Sequence, residues 1–169
     1  GKGRFMMDLA STNPDINYIG IEKYSTVLLR AIQKMEEREL PNLKFIRMDA
    51  EDICEVFAKG EIAKIYLNFS DPWPKTRHHL RRLSSKVFLE KYDAIFKGDR
   101  EIYQRTDNQG LFIYSLESYS ENGYVLSEIS FDLHKDKDDL ITTEYEDKFS
   151  NKGMPIYAVV ARKGVQNSK

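Results

Sequence analysis

Three carboxylates stand where apolar runs end. Glu22 follows Asn17-Tyr18-Ile19-Gly20-Ile21, Asp49 follows Leu43 to Met48, and Asp71 comes three residues after the run Ala63 to Asn68. Open α/β sheets bind ligands outside the carboxyl ends of their strands. Acids at three successive ends therefore point to one shared polar ligand more than to three unrelated helix caps. Glu22 also lies 19 residues after Gly3, close to the spacing at which a carboxylate takes the ribose hydroxyls above a glycine-rich turn. Gly1-Lys2-Gly3 alone is a weak signal, since such glycines serve ordinary turns, and no Ser or Thr follows Lys2 as a P-loop requires. As a set, the residues read as a nucleoside site.

The stretch Asn68-Phe69-Ser70-Asp71-Pro72-Trp73-Pro74-Lys75 holds the only tryptophan between two prolines. Proline fixes its own φ and restricts the residue before it, so this loop is stiff. Stiffness suits a site that must hold a planar base at a set distance from a reacting group. An alternative is that Trp73 simply covers the sheet edge. Lys75, Arg77, His78, His79, Arg81 and Arg82 follow within eight residues. Residues 71–82 carry a formal charge of +3 in a chain whose net charge is -1. Positive charge gathered beside an aromatic wedge favours phosphate, and a nucleic-acid substrate over a small molecule.

Alternating elements position these residues. Helical character over Phe5 to Ser11 stops at Asn13-Pro14, and the strand to Ile21 follows. Tyr24, Val27, Leu28, Ala31, Ile32 and Met35 recur on one helical face. After the Leu43–Met48 strand, a short helix over Asp52 to Phe57 leads to the third strand and the polar loop. A helix buries Phe88, Leu89, Tyr92, Ile95 and Phe96; the strand Glu101 to Thr106 runs into Asp107-Asn108, which have the character of a helix cap. The next helix carries Phe112, Leu116 and Tyr119 and stops at Asn122-Gly123. Tyr124 to Leu133 and Pro155 to Ala161 are the last strands, with the charged stretch Lys135 to Lys148 between them. Strands alternating with helices imply a mostly parallel, Rossmann-like sheet, and the closing pair reads as an antiparallel edge hairpin.

Composition bounds the rest. Of 169 residues, 26 are basic, 27 acidic and 41% hydrophobic, which suits one packed domain over residues 1–169. The longest apolar run, Met154 to Ala161, is far below the roughly 18 residues that cross a bilayer. One cysteine, Cys54, rules out an internal disulfide, and the three histidines have no metal-ligand spacing. A cytoplasmic domain with no metal, membrane or DNA partner is the expectation.

Asn68 to Lys75, with Arg77-His78 and Arg81-Arg82-Leu83 after it, resembles the signature loop of the bacterial tRNA (guanine-N7)-methyltransferases. Gly1-Lys2-Gly3, Tyr18 to Glu22, Thr106-Asp107-Asn108 and Thr143-Glu144-Tyr145-Glu146 resemble that family in the same order. The resemblance spans nearly the whole chain. It implies the class I S-adenosylmethionine-dependent methyltransferase fold, S-adenosylmethionine as cofactor, tRNA as partner, and methylation of a variable-loop guanine by a monomer or homodimer. It implies cofactor contacts at Gly1, Gly3, Glu22, Asp49, Ala50, Asn68 and Asp71, with Asp71 also the catalytic acid. Lys75, Asp107 and Thr143 through Glu146 correspond to substrate-binding positions, and Arg77 and His78 are added as phosphate or ribose contacts. In that family a strand and an acidic residue precede the glycine turn, so the natural protein is expected to extend upstream of Gly1. Two other readings stay open: a methyltransferase of the same fold acting on another RNA, a protein or a small molecule, and a non-catalytic RNA-binding module. An NAD-dependent oxidoreductase is disfavoured because it gives the Pro-Trp-Pro and basic loop no job.

Overall fold

The structure, a computed structural model, describes residues 3–165. In chain order its elements are α1 (Arg4–Thr12), β1 (Tyr18–Glu22), α2 (Ser25–Met35), β2 (Leu43–Arg47), α3 (Ile53–Val56), β3 (Ile65–Asn68), α4 (Lys86–Ile95), β4 (Arg100–Thr106), α5 (Gln109–Glu121), β5 (Val125–Ser130), α6 (Leu133–Asp136), α7 (Glu144–Asn151) and β6 (Tyr157–Lys163). Short 3-10 turns cover Ala50–Asp52 and Thr76–Arg81. The described residues divide into two compact units, one of residues 3–52 and 137–153, the other of 53–136 and 154–165.

In the first unit β1 and β2 pair in parallel, with Glu22 opposite Arg47. Met7, Ala10 and Leu43 form its buried core, joined by Met6, Tyr18, Met35, Leu40 and Phe45. Proline ends α1 as the sequence implies, and buried Asn42 closes the gap it leaves. The Asn42 amide donates to the carbonyls of Ala10, Asn13 and Ile16 at 3.0, 3.1 and 2.8 Å. Carbonyls freed at a helix end are satisfied in this way without water.

The second unit is a four-stranded mixed sheet in the order β3-β4-β6-β5. β3 and β4 are parallel, and β6 runs antiparallel to both β4 and β5. The expected antiparallel closing pair is present, with β5 at the edge and β6 inside. Strand character stops at Ser130 instead of Leu133, because a register shift between Ser127 and Ser130 and a left-handed Glu128 (φ 50°) bend the chain out of the ladder. The charged stretch after it contains α7. Tyr92, Phe112, Tyr119, Ile102 and Leu111 fill the core. Within it, Gln104 on β4 donates to Ser115 at 3.0 Å and accepts from the Tyr119 hydroxyl at 2.6 Å. Ser115 Oγ in turn meets Ser84 Oγ at 2.6 Å. This satisfied polar chain fixes α5 and the segment before α4 against β4, the strand that leads into Asp107.

Candidate active site

The first unit holds two of the three carboxylates expected to meet a nucleoside, Glu22 and Asp49; Asp71 belongs to the second. Glu22 is the last residue of β1, and Asp49 lies two residues beyond the end of β2. Parallel pairing puts both on the carboxyl edge of that sheet. Glu22 Oε1 accepts the Tyr24 N–H at 3.0 Å, which turns the chain into α2. Asp49 Oδ1 accepts the Glu51 N–H at 2.9 Å, and its Oδ2 lies 3.3 Å from Lys23 Nζ. Ala50 opens the 3-10 turn that follows.

Gly3 caps the N-terminus of α1 in the left-handed region, with φ 89°. A Cβ there would sit 3.0 Å from Ala31 Cβ and 3.1 Å from Phe45 Cζ. Two constraints therefore demand glycine, a positive φ and close packing on α2 and β2. Gly1 lies outside the described residues.

The second unit holds the stiff loop. Asn68 ends β3, and its register partner is Arg105 on β4; Thr106 ends β4, so Asp107 leaves the same carboxyl edge. The Phe69 N–H donates to the Arg105 carbonyl at 2.9 Å. Phe69 and Trp73 both adopt left-handed backbone, at φ 56° and 42°. Each costs about 1–2 kcal/mol for an L-residue, so the loop keeps its shape only because its surroundings hold it. Asp71, Lys75 and Arg77 are exposed, and His78 is half-buried.

The polar loop read after the third strand contains regular structure. Residues 76–81 form a 3-10 turn capped by Lys75, whose carbonyl accepts the His78 N–H at 2.9 Å. From this turn the Arg81 guanidinium lies 5.0 Å from the centroid of the Trp73 ring, and the His78 ring lies 5.8 Å from it. Arg82 turns inward: Nε donates to the Pro72 carbonyl at 3.0 Å, and Nη2 to the Trp73 carbonyl at 2.9 Å. In the sequence Arg82 belongs to the basic patch and to the signature resemblance, with no role of its own. Type and spacing do not separate it from Arg81, since the distinction is made by where the 3-10 turn ends.

Asn108 is the cap of α5, accepting the Leu111 N–H at 2.8 Å, as Asp107-Asn108 implied. Thr143 through Glu146 begin α7 in the first unit. Thr143 and Glu146 are 5% and 0% exposed and bond each other reciprocally, while Tyr145 is 39% exposed. Glu144 pairs with Lys34, and Arg4 pairs with Asp147 while donating to Thr142 Oγ1 at 2.9 Å.

Residues 1–159 match the protein family described as "Putative methyltransferase". The chain belongs to this family. Solved structures similar to it include the 16S rRNA methyltransferase KamB, at 13% identity over 98% of this chain and 85% of that one, with TM-score 0.72. A SAM-dependent methyltransferase from Aquifex aeolicus has 12% identity, covers 96% and 77% of the two chains, and gives TM-score 0.66. The aminoglycoside resistance methyltransferase NpmB1 has 18% identity, coverage of 98% and 84%, and TM-score 0.64. At these identities the likeness establishes the fold, which is the Rossmann-like fold of S-adenosylmethionine-dependent methyltransferases.

S-adenosylmethionine is accordingly the expected cofactor of this methyltransferase, and the donor set fits it. Glu22 offers a carboxylate for ribose hydroxyls, and Asp49-Ala50 a polar turn at the neighbouring strand end. The left-handed Gly3 opens a helix whose first-turn N–H groups have no partner within the helix, which suits an amino-acid carboxylate. Among the described residues no helix is long and apolar enough to cross a membrane.

Proposed function

We propose that this methyltransferase transfers a methyl group from S-adenosylmethionine to N7 of a guanine in the variable loop of tRNA. The observation that carries the reading is the loop from Asn68 to Lys75. It leaves the carboxyl edge of a parallel strand pair, holds its only tryptophan under Arg81 and His78, and presents Asp71, Lys75 and Arg77 to solvent together. An acid beside two cations on a rigid loop suits a base whose edge donates hydrogen bonds and whose backbone is anionic.

When bound, S-adenosylmethionine supplies a methyl group made electrophilic by its sulfonium. Guanine N7 carries an in-plane lone pair and no proton, so attack needs no general base. The chain's work is alignment, which in oriented reactions contributes on the order of several kcal/mol. Asp71 accepts hydrogen bonds from the guanine N1 and N2 edge and offsets the positive charge that grows on the purine ring. Lys75, Arg77 and His78 take phosphate or ribose, Asp107 a polar group of the same substrate, and Tyr145 is the exposed member of the Thr143–Glu146 segment. The protein works in the cytoplasm as a monomer or homodimer.

The test is methyl transfer from labelled S-adenosylmethionine to unmodified tRNA, with borohydride and aniline cleavage locating N7-methylguanosine. Cleavage in the variable loop is the expected result. Transfer to another RNA, to protein or to a small molecule, with no N7 product in tRNA, would overturn the substrate; cofactor-free tRNA binding alone would make the chain a binding module.

A further inference from the structure

The Asn68–Lys75 loop cannot hold itself. Pro72 and Pro74 have no N–H to donate, and the residues that give the loop its shape, Phe69 and Trp73, sit in left-handed backbone. Between the Phe69–Arg105 bond at one end and the His78–Lys75 bond at the other, the loop's carbonyls at Pro72 and Trp73 are met by Arg82. Its Nε lies 3.0 Å from the Pro72 carbonyl oxygen and 3.2 Å from that of Trp73, and its Nη2 lies 2.9 Å from the Trp73 oxygen. The guanidinium carbon stands 4.4 Å from the centroid of the Tyr114 ring on α5.

Both ends of this clamp are themselves held. The Arg82 N–H donates to the His79 carbonyl at 3.2 Å, and its own carbonyl accepts the Ser85 N–H at 3.0 Å. Tyr114 donates through its hydroxyl to the His79 carbonyl at 3.3 Å. Arg82 is half-buried, whereas Lys75, Arg77 and Arg81 around it are exposed. A guanidinium with Nε–H and Nη2–H on two carbonyls and its carbon over an aromatic ring is engaged on the protein's own backbone and on α5.

We propose that Arg82 is a positioning residue for methyl transfer: it fixes the Pro72–Trp73 peptide, and through it the backbone that presents Asp71, and it is not one of the cations that meet RNA. This rests on the reading of Asp71 given above. Lysine cannot replace it, because a point charge neither spans two carbonyls in one plane nor stacks as a guanidinium does.

Trp73 is the only tryptophan of the chain, so its fluorescence reports on the clamped peptide without any substrate. Arg82→Lys, Arg82→Ala and Tyr114→Leu are compared in the full chain for acrylamide quenching of Trp73, single-turnover methyl transfer to tRNA, and the salt dependence of tRNA binding. In Arg82→Lys, quenching should rise about twofold and the transfer rate fall roughly tenfold or more, with the slope of log K against log salt unchanged. Tyr114→Leu should move quenching in the same direction, and added guanidinium ion should restore part of the rate to Arg82→Ala but not to Arg82→Lys. Unchanged quenching in Arg82→Lys overturns the clamp, and so does a salt slope lowered by about one, which would make Arg82 a phosphate contact. A wild-type protein inactive on tRNA would overturn the substrate reading instead, and the quenching comparison still decides the clamp.

Discussion

Thr143 and Glu146 satisfy each other across the first turn of α7. The Thr143 N–H donates to Glu146 Oε1 at 2.8 Å, and the Glu146 N–H donates to Thr143 Oγ1 at 3.0 Å. Both side chains are buried, so this capping box ties down the segment that resembles a substrate-binding motif.

Substitution should separate the box from the exposed residue inside it. Thr143→Ala should lower stability by about 1 kcal/mol, and Glu146→Ala by about 1–3 kcal/mol because a buried N–H loses its acceptor. Tyr145→Ala removes a ring contact with Phe149, centroids 4.5 Å apart, so it should lower stability by about 0.5–1.5 kcal/mol and weaken tRNA binding by more than that loss explains. Thermal unfolding and a tRNA filter-binding titration on the same three variants check this. Equal loss of binding in all three, at unequal stability, would argue against Tyr145 as the contact.

Glu22→Gln keeps the size of the side chain and the acceptor for the Tyr24 N–H, and removes the charge. Cofactor affinity measured by calorimetry should drop roughly tenfold, the effect of losing one charge-assisted hydrogen bond of about 1.5 kcal/mol, with the unfolding midpoint unmoved. Wild-type affinity would exclude Glu22 from the ribose site.

Asp71 and Lys75 stand four positions apart on one loop and should fail differently. Asp71→Asn should reduce the transfer rate by about 10²-fold or more while cofactor affinity changes less. Lys75→Ala should weaken tRNA binding and lower its salt slope by about one, at little cost to the rate with saturating tRNA. Single-turnover kinetics and a salt series distinguish them; near-normal turnover in Asp71→Asn would remove its catalytic role.

Burial, first and foremost, raises the Tyr92, Tyr119 and Tyr124 hydroxyls above the ordinary 10.0, with each other's or a nearby Asp93 charge adding to it. Tyr92 donates to the Leu83 carbonyl at 2.7 Å, and Tyr119 to Gln104. A raised folded-state pKa favours the neutral form in the native protein. The stability this contributes is whole below the unfolded value near 10 and is lost as pH rises through the higher folded values. Denaturation midpoints should therefore hold to about pH 10 and then fall, with tyrosinate absorbance appearing together with unfolding. Tyrosinate signal for all ten tyrosines well before unfolding would contradict it.

Much of this molecule was legible without coordinates. Alternating apolar runs ended by Glu22 and Asp49 mark strand ends because side-chain period and charge are local properties, and Asn108 and Asn122-Gly123 mark the limits of α5 for the same reason. The motif from Asn68 to Lys75 points through its residue types to a methyltransferase family, and the family match over residues 1–159 agrees. Tertiary structure decided what those residues lean on. Whether an arginine in Arg81-Arg82 faces solvent or grips Pro72 and Trp73 depends on a ring of α5 more than thirty positions away, which no window along the chain contains. The same holds for β6 entering between β4 and β5, and for Thr143 and Glu146 being buried beneath their own helix start. Local pattern sets which groups can bond; long-range packing sets which of them are already bonded and which are left to meet a substrate.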